Sequence, residues 1–545
     1  MRIVDYMIKY LEKLNVKYVF GLPSATTAGF YDALVDSNIE LFMFKNEAGA
    51  VFSAVKYAEM SKEIGVSILA SSVGINNAIN GISEAYVNKT PLLVITGNAS
   101  RVKNQKGAMQ NVNSVEIVKP ITKYSKLIED ETSVMSELCK ALKIALAPPF
   151  GPVHLSIPID VQSLKVNIEN FDSLNYHSYK TVNKTYDDDA LNDAIKTINE
   201  EQMGIILYGR GAIDYVEKIK SLSLKLNWPI IATPRGKGFI DEQFKLYMGN
   251  YGFAGADETV RFVKENCATC VLVLGSALGE CSILDMKDDL FKNKKIIHID
   301  WDIRELNKIF TANNPVHHDL KLALPEILNK CEAKNNTISK PSKFNSPYIK
   351  NHTGVSVRQF SEKIMDFLPS KTIFVGDIGE YLLYIIKYLP IIDNVRLDVS
   401  INNACMGIGI GGAIGTHLAL PEYQTAVIVG DGSFFMNGME ILVAKEHRLP
   451  IIYFVINNSM LSLVENGHMG LYKRSLSNFK WKNISIAGIA KSMGLNSIII
   501  EKIEDLDLLN QIKNGLYEPL IVEIVTDNSE KSPIKARLDT LRRSM

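Results

Sequence analysis

Ala426-Val427-Ile428-Val429 runs into Gly430-Asp431-Gly432, helix formers occupy Asn437 to Leu449, and the apolar, β-branched stretch Ile451 to Ile456 ends at Asn457-Asn458. Periodicity and composition make this one βαβ unit. A right-handed crossover sets its two strands parallel, so Asp431 and Asn458 leave the sheet at the same carboxyl edge, where open α/β sheets bind ligands. A carboxylate and an amide oxygen converging there suit a small hard cation such as Mg²⁺, which also takes carbonyl oxygens, water and phosphate. Flanking glycines would let a phosphate approach the backbone. Gly-Asp-Gly alone is a common turn. The strand-helix-strand frame and the Asn pair shift the reading toward a cation and diphosphate clamp.

The chain has 545 residues, too many for one core, and at roughly 100–200 residues per domain it holds three or four domains. Its 60 basic and 60 acidic residues balance, which removes the electrostatic case for nucleic acid or a membrane surface as partner. Small molecules and further copies of the chain remain. The amino terminus has apolar residues at helical spacing broken by charges and no signal-peptide core, and no apolar run reaches the length of a membrane span. The expected location is the cytoplasm. Cysteines stand at 139, 267, 270, 281, 331 and 405. Only Cys267-Ala268-Thr269-Cys270 has a suggestive spacing. It lacks a second pair or a His cluster and runs straight into the strand Val271 to Leu274, so reduced structural thiols are expected.

Strands alternate with helical segments along the whole chain. In the first block they are Tyr18 to Phe20, Leu41 to Phe44, Val66 to Leu69, Leu92 to Ile95 and Val153 to Ile157. In the second they are Ile205 to Leu207, Ile230 to Ala232, Val271 to Leu274 and Ile296 to Ile299, with turn glycines at 209, 211 and 275. The polar stretches Asn167 to Asp189 and Lys334 to Asn351 read as linkers. The fold class is therefore α/β, with three doubly wound, mostly parallel-sheet domains at 1–168, 188–333 and 353–530.

With the clamp in the third of three such blocks, nearly the whole chain resembles the thiamine diphosphate-dependent enzymes of the acetolactate synthase and 2-oxo acid decarboxylase superfamily. Their domains follow the order pyrimidine-binding, central, diphosphate-binding. In the first block the resemblance is carried by Phe20-Gly21-Leu22-Pro23, Asn46-Glu47-Ala48-Gly49-Ala50, and Gly74-Ile75-Asn76-Asn77 with Gly81, Ala85, Pro91 and Gly97. It implies that Glu47 is the catalytic carboxyl that contacts the aminopyrimidine and that Asn77 is a further cofactor-binding residue. The chemistry asks for a carboxyl group in a largely apolar pocket, and Glu47 lies between Phe42-Met43-Phe44 and Ala48 to Phe52. A plain acidic residue in a helix's first turn is the rival reading.

In the third block, Cys405 to Gly415 resembles the segment that supports the thiazolium, with Met406 at the wedge position and the Ala404 carbonyl accepting from the 4′-amino group. This glycine-rich run lacks the downstream acidic residue of a dinucleotide fingerprint. Asp377, Gly379 and Glu380 match the loop that helps hold the diphosphate. The resemblance also implies contacts at Gly430, Gly432 and Ser433, and Mg²⁺ ligands at Asp431, Asn458 and the Met460 carbonyl.

Once CO₂ has left, the fate of the remaining carbanion depends on whether an acid is placed to protonate it. The decarboxylase-type His pair and the Glu after Asn-Asn are missing, and the sixth position beyond Asn458 is Val464, as in acetolactate synthases. Gln110 and Lys123 also resemble positions around that active site. The expected function is a carboligase that decarboxylates a 2-oxo acid, pyruvate first, and transfers the acyl unit to a carbonyl acceptor. A non-oxidative decarboxylase is the alternative, and a non-catalytic homologue a third reading.

Departures from the pattern include Ser24-Ala25, Ser72-Val73, Asn98, Met109 and, in place of a pocket-shaping tryptophan, Gly467, so a larger or different acceptor is expected. His468, beyond the clamp, is read first as a surface loop histidine, with substrate contact as the alternative. Gly275 to Glu280 lacks the Arg-Phe-Asp-Asp-Arg type of run found in flavin-containing members, which argues against FAD, while Gly209-Arg210-Gly211 keeps a diphosphate contact open. The family's divided site implies a homodimer or homotetramer, with Glu47 from one subunit facing the Asp431 clamp of another.

Overall fold

Each block builds a six-stranded sheet in which every pairing is parallel. The computed structural model describes residues 1–104, 106–167, 171, 186–283, 289–338, 340–341, 354–527, 529–530 and 532–544. The two linkers read from the sequence lie largely outside these residues. At the end of the first of them the structure differs, since a helix runs over Asp188–Glu200, capped by the Asp187 carboxylate on the Ala190 N–H.

The first sheet has the order Glu40–Met43, Tyr18–Leu22, Gly65–Leu69, Leu92–Asn98, Pro152–Pro158, Tyr124–Leu127. The third repeats that order with Arg396–Val399, Thr372–Gly376, Gln424–Gly430, Ile452–Asn457, Leu520–Val525, Asn496–Ile500. The second runs Asn314–His317, Lys295–Asp300, Cys270–Leu274, Gly204–Tyr208, Ile230–Ala232, Tyr247–Asn250. Its winding also reverses inside the sheet, between Cys270–Leu274 and Gly204–Tyr208, as in dinucleotide-binding folds. Central strands such as Cys270–Leu274 are buried along their whole length, because helices cover both faces of a parallel sheet. Edge strands such as Tyr124–Leu127 and Asn314–His317 are half-buried and carry Ser, Lys, Asn or Pro, so they gave no apolar run to read.

In the third block one element starts earlier than the sequence reading has it, and a glycine-rich helix packs closely on another. The helical segment starts at Asp431, over Asp431–Asn437, continues as a 3₁₀ turn Gly438–Glu440 and ends with Ile441–Glu446. Gly432 and Ser433 are poor helix formers, so the start is set by the strand end and by Phe434 packing into the core, against local propensity. The glycine-rich helix Ile408–Ala419, in turn, lies against the first-block helix Glu47–Ser61. A Cβ on Gly415 would meet the Ser53 carbonyl oxygen at 2.0 Å, and one on Gly411 the Gly49 backbone at 3.0 Å. These glycines serve helix-on-helix approach between blocks. Beside them Lys56, fully buried, pairs with Asp398 at 2.7 Å and Glu59 at 2.8 Å, while Arg210 of the second block reaches Asp398 at 3.1 Å. One buried charge network thus ties all three blocks.

Candidate active site

The third sheet reverses its winding between Thr372–Gly376 and Gln424–Gly430, and a cavity opens at that carboxyl edge. Every residue lining it belongs to the third block. The loop after the first of these strands contributes Gly379 and Glu380, the second strand's end contributes Gly430, Asp431, Gly432 and Ser433, and the next contributes Asn458, Met460 and Val464. Ala404 and Met406 form another wall. Ala404 holds φ +56° and Ser459 φ +55°, left-handed conformations that cost a non-glycine residue about 1–3 kcal/mol and cluster at functional sites.

Asp431 is 2% exposed, and its carboxylate accepts from the Gly432 N–H at 2.9 Å and the Ser459 N–H at 2.8 Å. The clamp strand and the Asn458 loop are thereby joined. Burial pushes this carboxyl up to about 7, the signature of an acidic group whose charge the protein alone does not fully compensate. A buried carboxylate, an amide and a backbone carbonyl at one cavity form the donor set a hard cation takes, so the residues present fit Mg²⁺. The nearest atoms to Gly430 and Gly432 are side chains. A Cβ on Gly430 would lie 2.7 Å from the Tyr381 ring, and one on Gly432 2.9 Å from Leu461.

Asp377, expected beside the diphosphate, is placed differently from the other residues of its loop. It is fully buried, does not line the cavity, and accepts from the Gly407 N–H at 3.1 Å, the Gly409 N–H at 2.8 Å and the Ser433 hydroxyl at 2.9 Å. Burial raises its carboxyl to about 6 despite these bonds. Its oxygens are engaged by the polypeptide, and it joins the start of the glycine-rich helix to the clamp. Glu380, in contrast, faces the cavity and accepts from Asn466 at 2.7 Å.

Glu47 lies outside this cavity. It opens the helix Glu47–Ser61, is 5% exposed, and accepts from the Asn77 amide at 2.9 Å. Asn77 therefore serves Glu47. Gln110 has φ +55°, and its backbone carbonyl receives the Ser71 hydroxyl. Lys123 is not brought to either group. Its ammonium donates to the carbonyls of Ile144 and Ala147, at the carboxyl end of the helix Val134–Leu146, on the opposite edge of the first sheet. Burial pushes it down to about 8.

Residues not singled out from the sequence also shape the site. Tyr381 backs Gly430, Asn466 orients Glu380, and beneath the clamp loop Glu523 accepts from the Asn457 amide at 2.6 Å. An acidic residue in the apolar strand Leu520–Val525 was the legible signal for the last. On the helix Ser462–Tyr472, a Cβ at Gly467 would meet open space, and the His468 ring packs edge-on to Tyr472 and Phe479.

Three parallel-sheet α/β blocks with a cation-fitting cavity at the third block's carboxyl edge define a three-domain cofactor enzyme. Family comparison agrees. Residues 1–117 match the thiamine pyrophosphate enzyme N-terminal TPP binding domain, 191–327 the central domain and 377–524 the C-terminal TPP binding domain. The chain belongs to the thiamine pyrophosphate enzyme family, and within it is acetolactate synthase-like. It is 29% identical to the acetolactate synthase large subunit of Lactococcus lactis subsp. lactis, across 96% of this chain and 92% of that protein. It is 26% identical to a probable acetolactate synthase large subunit of Methanocaldococcus jannaschii, across 98% and 93%. The acetolactate synthase isozyme 1 large subunit of Escherichia coli is 25% identical, across 97% and 94%.

Proposed function

We propose that this protein is a thiamine diphosphate- and Mg²⁺-dependent carboligase that decarboxylates a 2-oxo acid, with pyruvate the expected donor, and transfers the acyl unit to a second carbonyl compound. The observation that carries the reading is the cavity itself, whose clamp is Asp431, Asn458 and Met460 and whose adjoining wall is Val464, 41% exposed and unable to deliver a proton. Its full-length similarity to acetolactate synthase large subunits supports it.

Bound thiamine diphosphate supplies the carbon nucleophile and the electron sink for loss of CO₂. The chain's residues do the rest. Asp431, Asn458 and the Met460 carbonyl would hold the cation, Gly379, Glu380 and Ser433 would border the diphosphate, and Met406 with Ala404 forms the wall that would face the rings. Glu47, oriented by Asn77, exchanges the proton at the aminopyrimidine. A Cβ at Gly467 would meet open space, which fits an acceptor larger than pyruvate.

Since no first-block residue lines the cavity and Glu47 stands apart from it, we place Glu47 of one subunit over the clamp of another, in a dimer or a pair of dimers. Mixing Glu47→Gln with Asp431→Asn subunits should restore activity that neither has alone, and no restoration would refute the shared site. Packing at the crevice of the second sheet supports the reading without FAD. Gly209 and Gly211 pack on Gly275, and Arg210 is turned to Asp398. An absorbance scan of the purified protein should show no stoichiometric flavin band.

The decarboxylase remains the rival because Glu380, Asp527 and Glu530 also border the cavity. Measuring CO₂ release from a panel of 2-oxo acids, with and without aldehyde and ketone acceptors, separates the two. Release that needs an acceptor, with a ligated product by mass spectrometry, supports the carboligase, and equal release without one supports the decarboxylase.

A further inference from the structure

Glu440 ends the 3₁₀ turn Gly438–Glu440 of the third block and is 1% exposed. Its carboxyl does not face the cavity. It crosses to the first block, where Oε2 accepts the Lys45 N–H at 3.0 Å, and the Asn46 N–H is directed at the same group. These two residues lead directly into the helix Glu47–Ser61. The contact continues into that helix. A Cβ on Gly49 would lie 2.7 Å from the Glu440 carboxyl carbon, so only glycine lets this carboxyl rest against the first turn.

The partners facing Glu440 come from both blocks. From the first are the Lys45 and Asn46 backbone and the side chains of Lys45 and Glu47, the Lys45 ammonium being drawn aside to Glu446 at 2.7 Å. From the strand Ile452–Asn457 comes Tyr453, whose buried hydroxyl finds no hydrogen-bond partner among the described residues. Two buried carboxyl groups, Glu47 and Glu440, therefore share one helix start. Like charges in a dry site disfavour each other's ionisation, and burial together with this neighbour pushes Glu440 up to about 7.

We infer that Glu440 is a positioning residue for Glu47: it holds the start of the Glu47 helix against the third block and sets an acidic neighbour beside the Glu47 carboxyl. The inference rests on the proposed role of Glu47. It gives a reason why a carboxyl group sits where a neutral side chain would pack more readily, and why a glycine, Gly49, stands in the first turn of that helix.

Two measurements test it. In the cofactor-free protein, amide hydrogen exchange at Lys45 and Asn46 should speed at least about tenfold in Glu440→Ala and stay near wild type in Glu440→Gln, whose amide oxygen can still accept. In the cofactor-loaded protein, exchange of the thiamine C2 proton, followed against pH, should slow in Glu440→Ala. In Glu440→Gln, whose amide oxygen can still hold the start of the Glu47 helix, C2 exchange should return to near the wild-type rate, a rescue that mere loss of packing would not show. If Glu440→Ala does not fold, Glu440→Asp, whose shorter side chain draws the acceptor back from the Lys45 N–H, decides by the same two readouts. Wild-type amide exchange and wild-type C2 exchange in folded Glu440→Ala or Glu440→Asp, or C2 exchange in Glu440→Gln as slow as in Glu440→Ala, overturns the inference. Glu47→Gln run in parallel separates the premises: wild-type C2 exchange in that variant overturns the reading of Glu47 itself, whereas suppressed exchange leaves any failure to Glu440 alone.

Discussion

The second and third sheets each reverse direction at a carboxyl edge lined with glycines, and the two edges have opposite fates. In the second, a Cβ on Gly209 would meet the Gly275 carbonyl at 2.6 Å, and one on Gly275 the Gly211 backbone at 2.6 Å, so backbone packs on backbone. In the third, the atoms beside Gly430 and Gly432 are the Tyr381 ring and the Leu461 side chain, and the space beyond them is the cavity. Backbone contacts close an edge, because neither partner can turn away. Side chains can wall a cavity while leaving its floor of N–H groups and carboxylates in place. A shared topology thus yields a structural joint in one block and a chemical site in another.

The sharpest way to break this comparison is at the joint. Lys56→Met leaves Glu59 and Asp398 buried without their shared cation, and should cost about 3–5 kcal/mol in chemical denaturation while activity per folded molecule is kept. The converse holds at the site. Asp431→Asn should raise the thiamine diphosphate and Mg²⁺ concentrations needed for activity at least about 100-fold, read by titration, with little change in melting temperature. A large stability loss there would make the clamp part of the joint.

The glycines sharpen the contrast. Gly275→Ala places a side chain at φ +57° and against backbone, which should cost about 2–4 kcal/mol and leave cofactor affinity unchanged. Gly430→Ala meets only the far edge of a ring, and should cost about 1 kcal/mol while weakening cofactor binding. Equal stability losses would remove the distinction drawn between the two edges.

The smallest effect concerns the first sheet, where His154 is fully buried between the hydroxyls of Thr96 and Ser125, each at 2.9 Å. Burial pushes its imidazole from 6.5 down to about 3. A depressed pKa means that its contribution is fully present above pH 6.5 and is lost as pH falls toward 3. Between pH 6.5 and 5.5 wild type should therefore lose up to about 1 kcal/mol more than His154→Asn does, measured as denaturant midpoints at the two pH values.

The clamp shows how far the sequence could be read. Asp431 and Asn458 stand at the ends of strands buried over nearly their whole length, so an apolar run followed by a polar residue marked them. Tyr124–Leu127 and Asn314–His317 lie at sheet edges, half in water, and left no such run. Asp377 carried the same mark as Asp431, a carboxylate just past a buried strand. Only its partners, the N–H groups of Gly407 and Gly409 some thirty residues on, separate a positioning acid from a cavity-lining one. Lys123 matched a pattern and yet spends its ammonium on a helix end.

By itself the sequence determined the three α/β blocks, the parallel strands and the edge at which Asp431 and Asn458 emerge, because periodicity and strand ends depend on near neighbours along the chain. Tertiary structure decided which glycine edge closes, which acid faces the cavity, and that Glu440 meets Lys45 across 395 positions. Those outcomes depend on how separately formed sheets and helices pack, where a single Cβ or a buried charge decides, and no local pattern carries that information.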